Sequence, residues 1–224
     1  MTNEEFIRKA IEISNEPTRY AKGTFGQSCT QSFINQKRAQ YPAWYTISRC
    51  NSLLQSAPCK LFDCCGLIKA ICWGYPDTVY TSNGMPDLSD QGIWDKMLEG
   101  RSHDFSKIEP GAILHIKGHV GIYIGDGEAI EATMSFGSKV VRSTVSNIKS
   151  GKNMRKWTEY GYLKTISREI CHERPGITMD YIVKRGDTLS SIAAKHGMTW
   201  QELWKKNPEI KNPDLIYVGQ TIHL

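Results

Sequence analysis

The stretch His119–Thr133, HVGIYIGDGEAIEAT, limits the fold more than any other part of the chain. Apolar residues alternate with others on both sides of a Gly-Asp-Gly centre, the pattern of a β-hairpin. A two-residue Asp126-Gly127 turn would set Ile122 against Glu131, an apolar side chain against a charge. A three-residue Gly125-Asp126-Gly127 loop, with Gly127 left-handed, sets Ile122 against Ile130 and Val120 against Ala132. This second register gives a consistent apolar face. It also gathers His119, Gly121 and Glu131 on the other face, with Glu131 diagonal to His119 and within reach of its imidazole.

The rest of the chain arranges itself around this hairpin. Residues 2–14 have helical apolar spacing, a Thr2/Glu5 capping box and a stop at Pro17. Residues 17–60 are rich in Gly, Ser, Gln and aromatics and are expected to be irregular and surface-wrapping. FDCCGLIKAICWGY, residues 62–75, predicts a helix with Leu67, Ile68, Ile71 and Cys72 on one face and Gly74 at its end. Residues 76–92 are turn-rich, and 93–99 predict a short helix closed by Gly100. From Pro110 onward the pattern is that of strands: AILHI, the hairpin, 139–142 and 161–163. Helices first and an antiparallel meander afterwards give an α+β domain over residues 1–165. Residues 166–178 carry mixed charges and a Pro-Gly and predict a linker. Residues 179–224 predict a small βααβ unit, with Asp187 or Thr188 capping one helix that Gly197 ends, Thr199 capping the next and Asn207-Pro208 stopping it.

A thiol is nucleophilic as thiolate, and a helix N-terminus and a nearby imidazolium both favour that form. Cys64 stands where the 62–75 helix begins, just after Asp63, and Gly66 would leave room for a substrate backbone. The hairpin supplies His119 as base and Glu131 to orient its ring, so the chain offers nucleophile, base and acid in that order. His115 is a weaker candidate base, and His103, His172, His196 and His223 are read as surface residues. The seven cysteines are odd in number and lack zinc-knuckle spacing, so a reducing compartment and no metal or cofactor are expected. Cys72 reads as core, and Cys29, Cys50, Cys59 and Cys171 as structural. The net charge of +5 excludes little and is compatible with an anionic partner such as a bacterial wall. The N-terminus has no secretory pattern and no apolar run approaches membrane-spanning length, so synthesis in the cytoplasm is expected, with no membrane insertion.

FDCCGLI, GHVGIYIGDG and AIEAT together resemble the three motif segments of NlpC-type cell-wall cysteine peptidases, over about residues 5–165. The resemblance implies a papain-like fold, with Cys64 as nucleophile, His119 as base and Glu131 as third polar residue. It also implies Tyr20 at the substrate-facing wall and Asp63 recognising a substrate backbone or amine. Cys65 is counted with these substrate-binding residues and stands where the family usually has serine. The third polar position is more often histidine or an amide, and a carboxylate there should raise the basicity of His119.

VKRGDTLSSIA and NP…LIYVGQTI closely resemble the LysM module, which implies binding of N-acetylglucosamine-containing glycan. By that resemblance Asp187, Thr188, Leu189 and Ile210 line the groove. The expected function is a monomeric peptidoglycan hydrolase, an endopeptidase at a D-glutamyl–diamino acid bond, without nucleic acid as partner. It would act at the wall after release, as a phage or prophage lysin does. An N-acetylmuramoyl-L-alanine amidase and a non-catalytic wall-binding protein are the alternatives.

Overall fold

The computed structural model describes residues 1–167, 180–184, 186–195 and 199–223. Nearly all of the expected linker 166–178, with Cys171 and His172, lies outside the described residues, as do His196 and Gly197. The chain divides into two compact units, Met1–Ile170 and Cys171–Leu224.

The first unit begins with α1 (Asn3–Asn15), capped by the expected Thr2/Glu5 box, followed by β1 (Thr18–Tyr20) and β2 (Phe25–Ser28). Then come α2 (Gln31–Gln40), α3 (Ile47–Gln55), β3 (Lys60–Phe62) and α4 (Cys64–Cys72). Residues 17–60 are thus not irregular. Thr30 and Thr46 cap α2 and α3 through their side chains, and Ile34, Tyr45, Leu53 and Leu61 form a core of their own.

The next helix is α5 (Asp90–Met97), capped by Ser89, which begins three residues before the expected 93–99 and ends two before it. The rest of that expected helix belongs to β4 (Leu98–Ser102), whose backbone pairs with a later strand. Then follow β5 (Ile113–Ile116), β6 (His119–Gly125), β7 (Glu128–Thr133), β8 (Lys139–Val145), β9 (Met154–Arg155) and β10 (Glu159–Leu163). They form a seven-stranded sheet in the order β4-β10-β5-β6-β7-β8-β9. It is antiparallel except for the β8–β9 pair. This is the expected α+β arrangement.

Every residue of α4 is buried, so the helix has no polar face at all. It packs with Phe6, Ala10 and Ile13 of α1 on the sheet face formed by Ile113, Val120, Ile122, Ile130, Ala132 and Val140. The opposite face carries Leu114, Tyr123, Ala129, Trp157, Tyr160 and Tyr162. Burial on both faces makes each β5–β7 side chain a packing decision, which pins the register.

The hairpin reaches the expected pairing by a different route. Ile122 pairs with Ile130, but the turn is the two-residue Asp126-Gly127, both with positive φ, and Gly125 pairs with Glu128. Between Tyr123 and Gly125 the register shifts, and Ile124 is the extra residue. A bulge absorbs the residue that the three-residue loop was expected to hold.

The second unit has β11 (Asp180–Ile182), α6 (Leu189–Lys195), α7 (Trp200–Lys206) and β12 (Thr221–His223), the expected βααβ order. β11 and β12 pair antiparallel. Thr188 caps α6, accepting the Ser191 N–H, and Thr199 caps α7 in a box with Glu202. Fully buried Asn207 ends α7 and ties it to β12, donating to Leu203 and His223 carbonyls and accepting the His223 N–H. His223 is accordingly half-buried rather than a free surface residue.

Candidate active site

The start of α4 is built by Asp63. Its Oδ1 accepts the Gly66 N–H at 2.6 Å and its Oδ2 accepts the Gly23 N–H at 2.7 Å. One carboxylate therefore caps the helix and anchors the Tyr20–Phe25 segment beside it. Gly66 makes this approach possible, because a Cβ there would lie 1.8 Å from the Thr24 carbonyl oxygen. The space expected for substrate is filled by the chain's own backbone. Burial, reinforced by the charge of Cys64, pushes the Asp63 carboxyl up to about 6, against its two backbone hydrogen bonds and Lys69.

The Cys64 sulfur sits among donors. The Cys65 sulfur is 3.9 Å away, and the His119 ring and the Val120 N–H face Cys64 closely enough to act on its charge. The Cys65 S–H first, then the ring and the amide, hold the Cys64 thiol well below its usual range, although burial opposes them. The shared proton stays on Cys65, whose thiol is pushed far up. Tyr20 stands beside the same sulfur, and burial first, then the neighbouring negative charges, raise its pKa.

Behind the ring, His119 Nε2 lies 2.7 Å from Glu131 Oε2, which leaves Nδ1 for the sulfur. Burial alone would lower the His119 pKa. The bonds to Cys64 and Glu131 overcome it and raise the ring to about 9. The two shifts run in opposite directions, and both favour the thiolate on Cys64 and the protonated ring on His119. The indole of Trp157 stacks flat on the imidazole, centroids 5.5 Å apart and 13° between planes. Gly121 clears the space for it, since a Cβ there would meet that indole at 2.8 Å.

Two residues here escaped the sequence reading. Arg155 donates from Nε to the same Glu131 oxygen at 2.8 Å, and Trp157 covers the ring. Arg155 ends a two-residue strand and Trp157 follows it, and so short a strand has no periodicity to read. The available signal was Glu131 itself, since a carboxylate turned into a sheet face needs a cation.

Cys64, Cys65, His119, Tyr20 and Asp63 all line one cleft of about 940 Å³. The cleft also takes in Lys22, Lys37, Tyr41 and Trp44 from the 17–60 segment and the Lys69–Asp87 ion pair. Lys22 and Lys37 each lie 5.6 Å from the centre of the Tyr41 ring. His115 is instead buried outside that lining, bonded to Glu159 at 2.8 Å and stacked on Trp94. His103 is exposed and bonds the Thr158 carbonyl. Cys29, Cys50, Cys59 and Cys72 are buried free thiols. Among the described residues no helix is long and apolar enough to cross a membrane, and no group of three metal-ligating side chains is assembled.

In the small unit, Asp187 Oδ2 accepts the Tyr181 hydroxyl at 2.6 Å and the Lys184 N–H at 2.9 Å, bracing the turn before α6. Leu189 and Ile210 are 3% and 4% exposed and belong to the unit's core. The side chains of these two expected groove residues therefore face the interior of the unit. The Ile210 carbonyl accepts the Trp204 indole N–H.

Residues 181–224 match the LysM domain. A 64-residue stretch is 45% identical to the endolysin of Bacillus phage B103, covering 29% of this chain and 24% of that protein. The chain therefore spans about a quarter of that relative's length. Among solved structures, NlpC2 from Trichomonas vaginalis is similar over 71% of this chain and 46% of its own, at 15% identity and a TM-score of 0.41. The peptidoglycan hydrolase RipB from Mycobacterium tuberculosis is similar over 74% of this chain and 65% of its own, at 19% identity and a TM-score of 0.41.

Proposed function

We propose that the chain is a peptidoglycan hydrolase that cleaves an amide of the stem peptide by a thiol mechanism and is held at the wall by its LysM module. The observation that carries this reading is the meeting of Cys64 and His119 on one cleft wall, with Glu131 2.7 Å behind the ring.

The Cys64 thiolate attacks the amide carbonyl carbon. The oxyanion that forms is met by the Cys64 N–H in the first turn of α4 and by the Tyr20 hydroxyl. His119 gives its proton to the departing amine as the C–N bond breaks. Water then adds to the thioester, with His119 taking its proton, and the carboxylic acid leaves as the thiolate is restored. The ammoniums of Lys22 and Lys37 on the cleft wall suit a peptide bearing free carboxylates, as a D-glutamyl stem does. The scissile bond on this reading is D-glutamyl–diamino acid. The LysM module supplies weak glycan affinity through the Asp187–Thr188 turn and the backbone at Leu189 and Ile210, and tethering keeps the enzyme at the wall after its release.

Mass spectrometry of digested peptidoglycan tests the reading, with wild type beside Cys64→Ala and Cys65→Ala. A new amine within the stem that vanishes in Cys64→Ala and persists in Cys65→Ala is the expected result. A free lactyl carboxylate on muramic acid would make the enzyme an amidase. Glycan binding without any product would remove the hydrolase altogether.

A further inference from the structure

Glu131 is 0% exposed, and its two hydrogen-bond partners, His119 and Arg155, share the single oxygen Oε2 at 2.7 and 2.8 Å. Its Oε1 is buried without a hydrogen-bond partner among the described residues. Arg155 is fixed independently of Glu131. Its terminal nitrogen donates to Thr133 Oγ1 at 3.0 Å, and its guanidinium lies over the rings of Phe136 and Trp157 at 5.1 and 5.7 Å. Trp157 in turn stacks on His119, so guanidinium, indole and imidazole form one packed layer.

We propose that Arg155 is a positioning residue that cancels the charge of Glu131, so that His119 meets this carboxylate as a nearly neutral hydrogen-bond acceptor. The inference rests on the hydrolase reading for its kinetic consequences, though not for its electrostatics. The thiolate, imidazolium, carboxylate and guanidinium alternate in sign and sum to zero. Without the guanidinium, the imidazolium would stand between two buried anions and hold its proton too tightly to pass it to a leaving amine. The other titratable groups facing this assembly are Cys65 and Asp63 at the start of α4, Tyr20 of β1 and Asp90 of α5. Asp90 is engaged by the Gly118 N–H, and none of these four contacts the Glu131 carboxylate. Arg155 is therefore the group that decides what charge the ring feels from behind.

The test uses the full chain as wild type, Arg155→Met, Arg155→Lys, Glu131→Gln and the double variant Glu131→Gln/Arg155→Met. Iodoacetamide alkylation at Cys64, read by tandem mass spectrometry across pH, reports the ionisation of the thiolate–imidazolium pair without any substrate. Peptidoglycan hydrolysis is followed beside it. Arg155→Met is expected to move the imidazolium titration upward by about one pH unit, with hydrolysis slowed at least about tenfold. Glu131→Gln moves the titration down. The double variant returns it near wild type and hydrolyses faster than Arg155→Met, and Arg155→Lys keeps the wild-type titration. An unmoved titration in Arg155→Met, or a double variant no better than Arg155→Met, overturns the proposal and leaves Arg155 a packing residue. If Arg155→Met does not fold, Arg155→Lys and the double variant decide alone. If the titrations behave as expected while the wild type releases no product from peptidoglycan, the hydrolase reading fails and the Arg155 inference stands.

Discussion

His119 and Glu131 stand 2.7 Å apart on neighbouring strands, and the residue that aligns those strands is Ile124, which touches neither. Ile124 is the extra residue of the β6 bulge. Were Ile124 paired in the ladder against Ala129, Ile122 would fall against Glu131 and the carboxylate would leave the His119 face. With Ile124 bulged out, Ile122 meets Ile130 and the polar pair follows.

Deleting Ile124 removes the bulge but leaves every other pair in place, since Gly125–Glu128 and Tyr123–Ala129 then become adjacent rungs. The deletion is expected to fold, losing about 1–3 kcal/mol for a half-buried isoleucine, and to keep measurable Cys64 reactivity. Inserting one alanine after Ile122 turns His119 away from Glu131 and is expected to abolish that reactivity. Urea unfolding and iodoacetamide labelling of the two variants check this. Equal damage from both would show that the bulge does not carry the register.

The pH profile has a sign fixed by the pair. On the proposed mechanism His119 must hold a proton to release the amine, and its interactions with Cys64 and Glu131 raise it to about 9 against burial. Activity is therefore present below that pH and falls as pH rises through about 9. Cys64 is held well below the usual thiol range, so its own ionisation adds no rise at the pH where a free thiol titrates. The kcat/KM profile for a soluble stem peptide is expected to be a broad plateau ending near pH 9. A profile that climbs through pH 8–9, as a free thiol would make it, contradicts the ion pair.

What could be read from the residues, and what could not, follows from how each piece is held. The alternation of β6 and β7 fixed His119 and Glu131 on one face, although a bulge rather than a longer loop delivers that register. Cys64 was legible because Asp63 marks a helix start. The 17–60 segment was not, because α2 buries only Ile34 and its apolar stripe is too thin to see. The readable marks there were Thr30 and Thr46, each three residues ahead of the amide it caps. Leu98 and Glu99 favour helix in isolation, and pairing with β10 overrides them. Arg155 and Trp157 reach the site from a two-residue strand that has no local pattern, so only the need of Glu131 for a cation pointed to them.

Gly66→Ala tests how the cleft wall is held. The new methyl would fall 1.8 Å from the Thr24 carbonyl, a backbone atom that cannot rotate away. The Tyr20–Phe25 segment must then lift from α4, taking with it the Gly23 N–H that Asp63 accepts and the Tyr20 hydroxyl at the sulfur. The expected cost is about 3 kcal/mol or more of stability, with a fall in kcat beyond any change in KM. Thermal unfolding and steady-state kinetics measure both. A variant as stable and active as wild type would mean that the backbone crossing at Gly66 plays no part in the site.

The LysM module gives a prediction in which burial separates two kinds of contact. Ile210 and Leu189 are core residues, so truncating either to alanine is expected to cost about 2–5 kcal/mol and to lower glycan binding by unfolding the module. Asp187 instead braces a turn through the Tyr181 hydroxyl and the Lys184 N–H. Asp187→Asn keeps an acceptor for both and should leave the module folded, while changing the charge presented at the turn. Binding to purified glycan strands, measured beside circular dichroism, is expected to fall in Asp187→Asn without loss of folded signal. In Ile210→Ala the two should fall together. If Ile210→Ala bound weakly while fully folded, its side chain would touch glycan after all, and the division between core and groove drawn from its burial would be wrong.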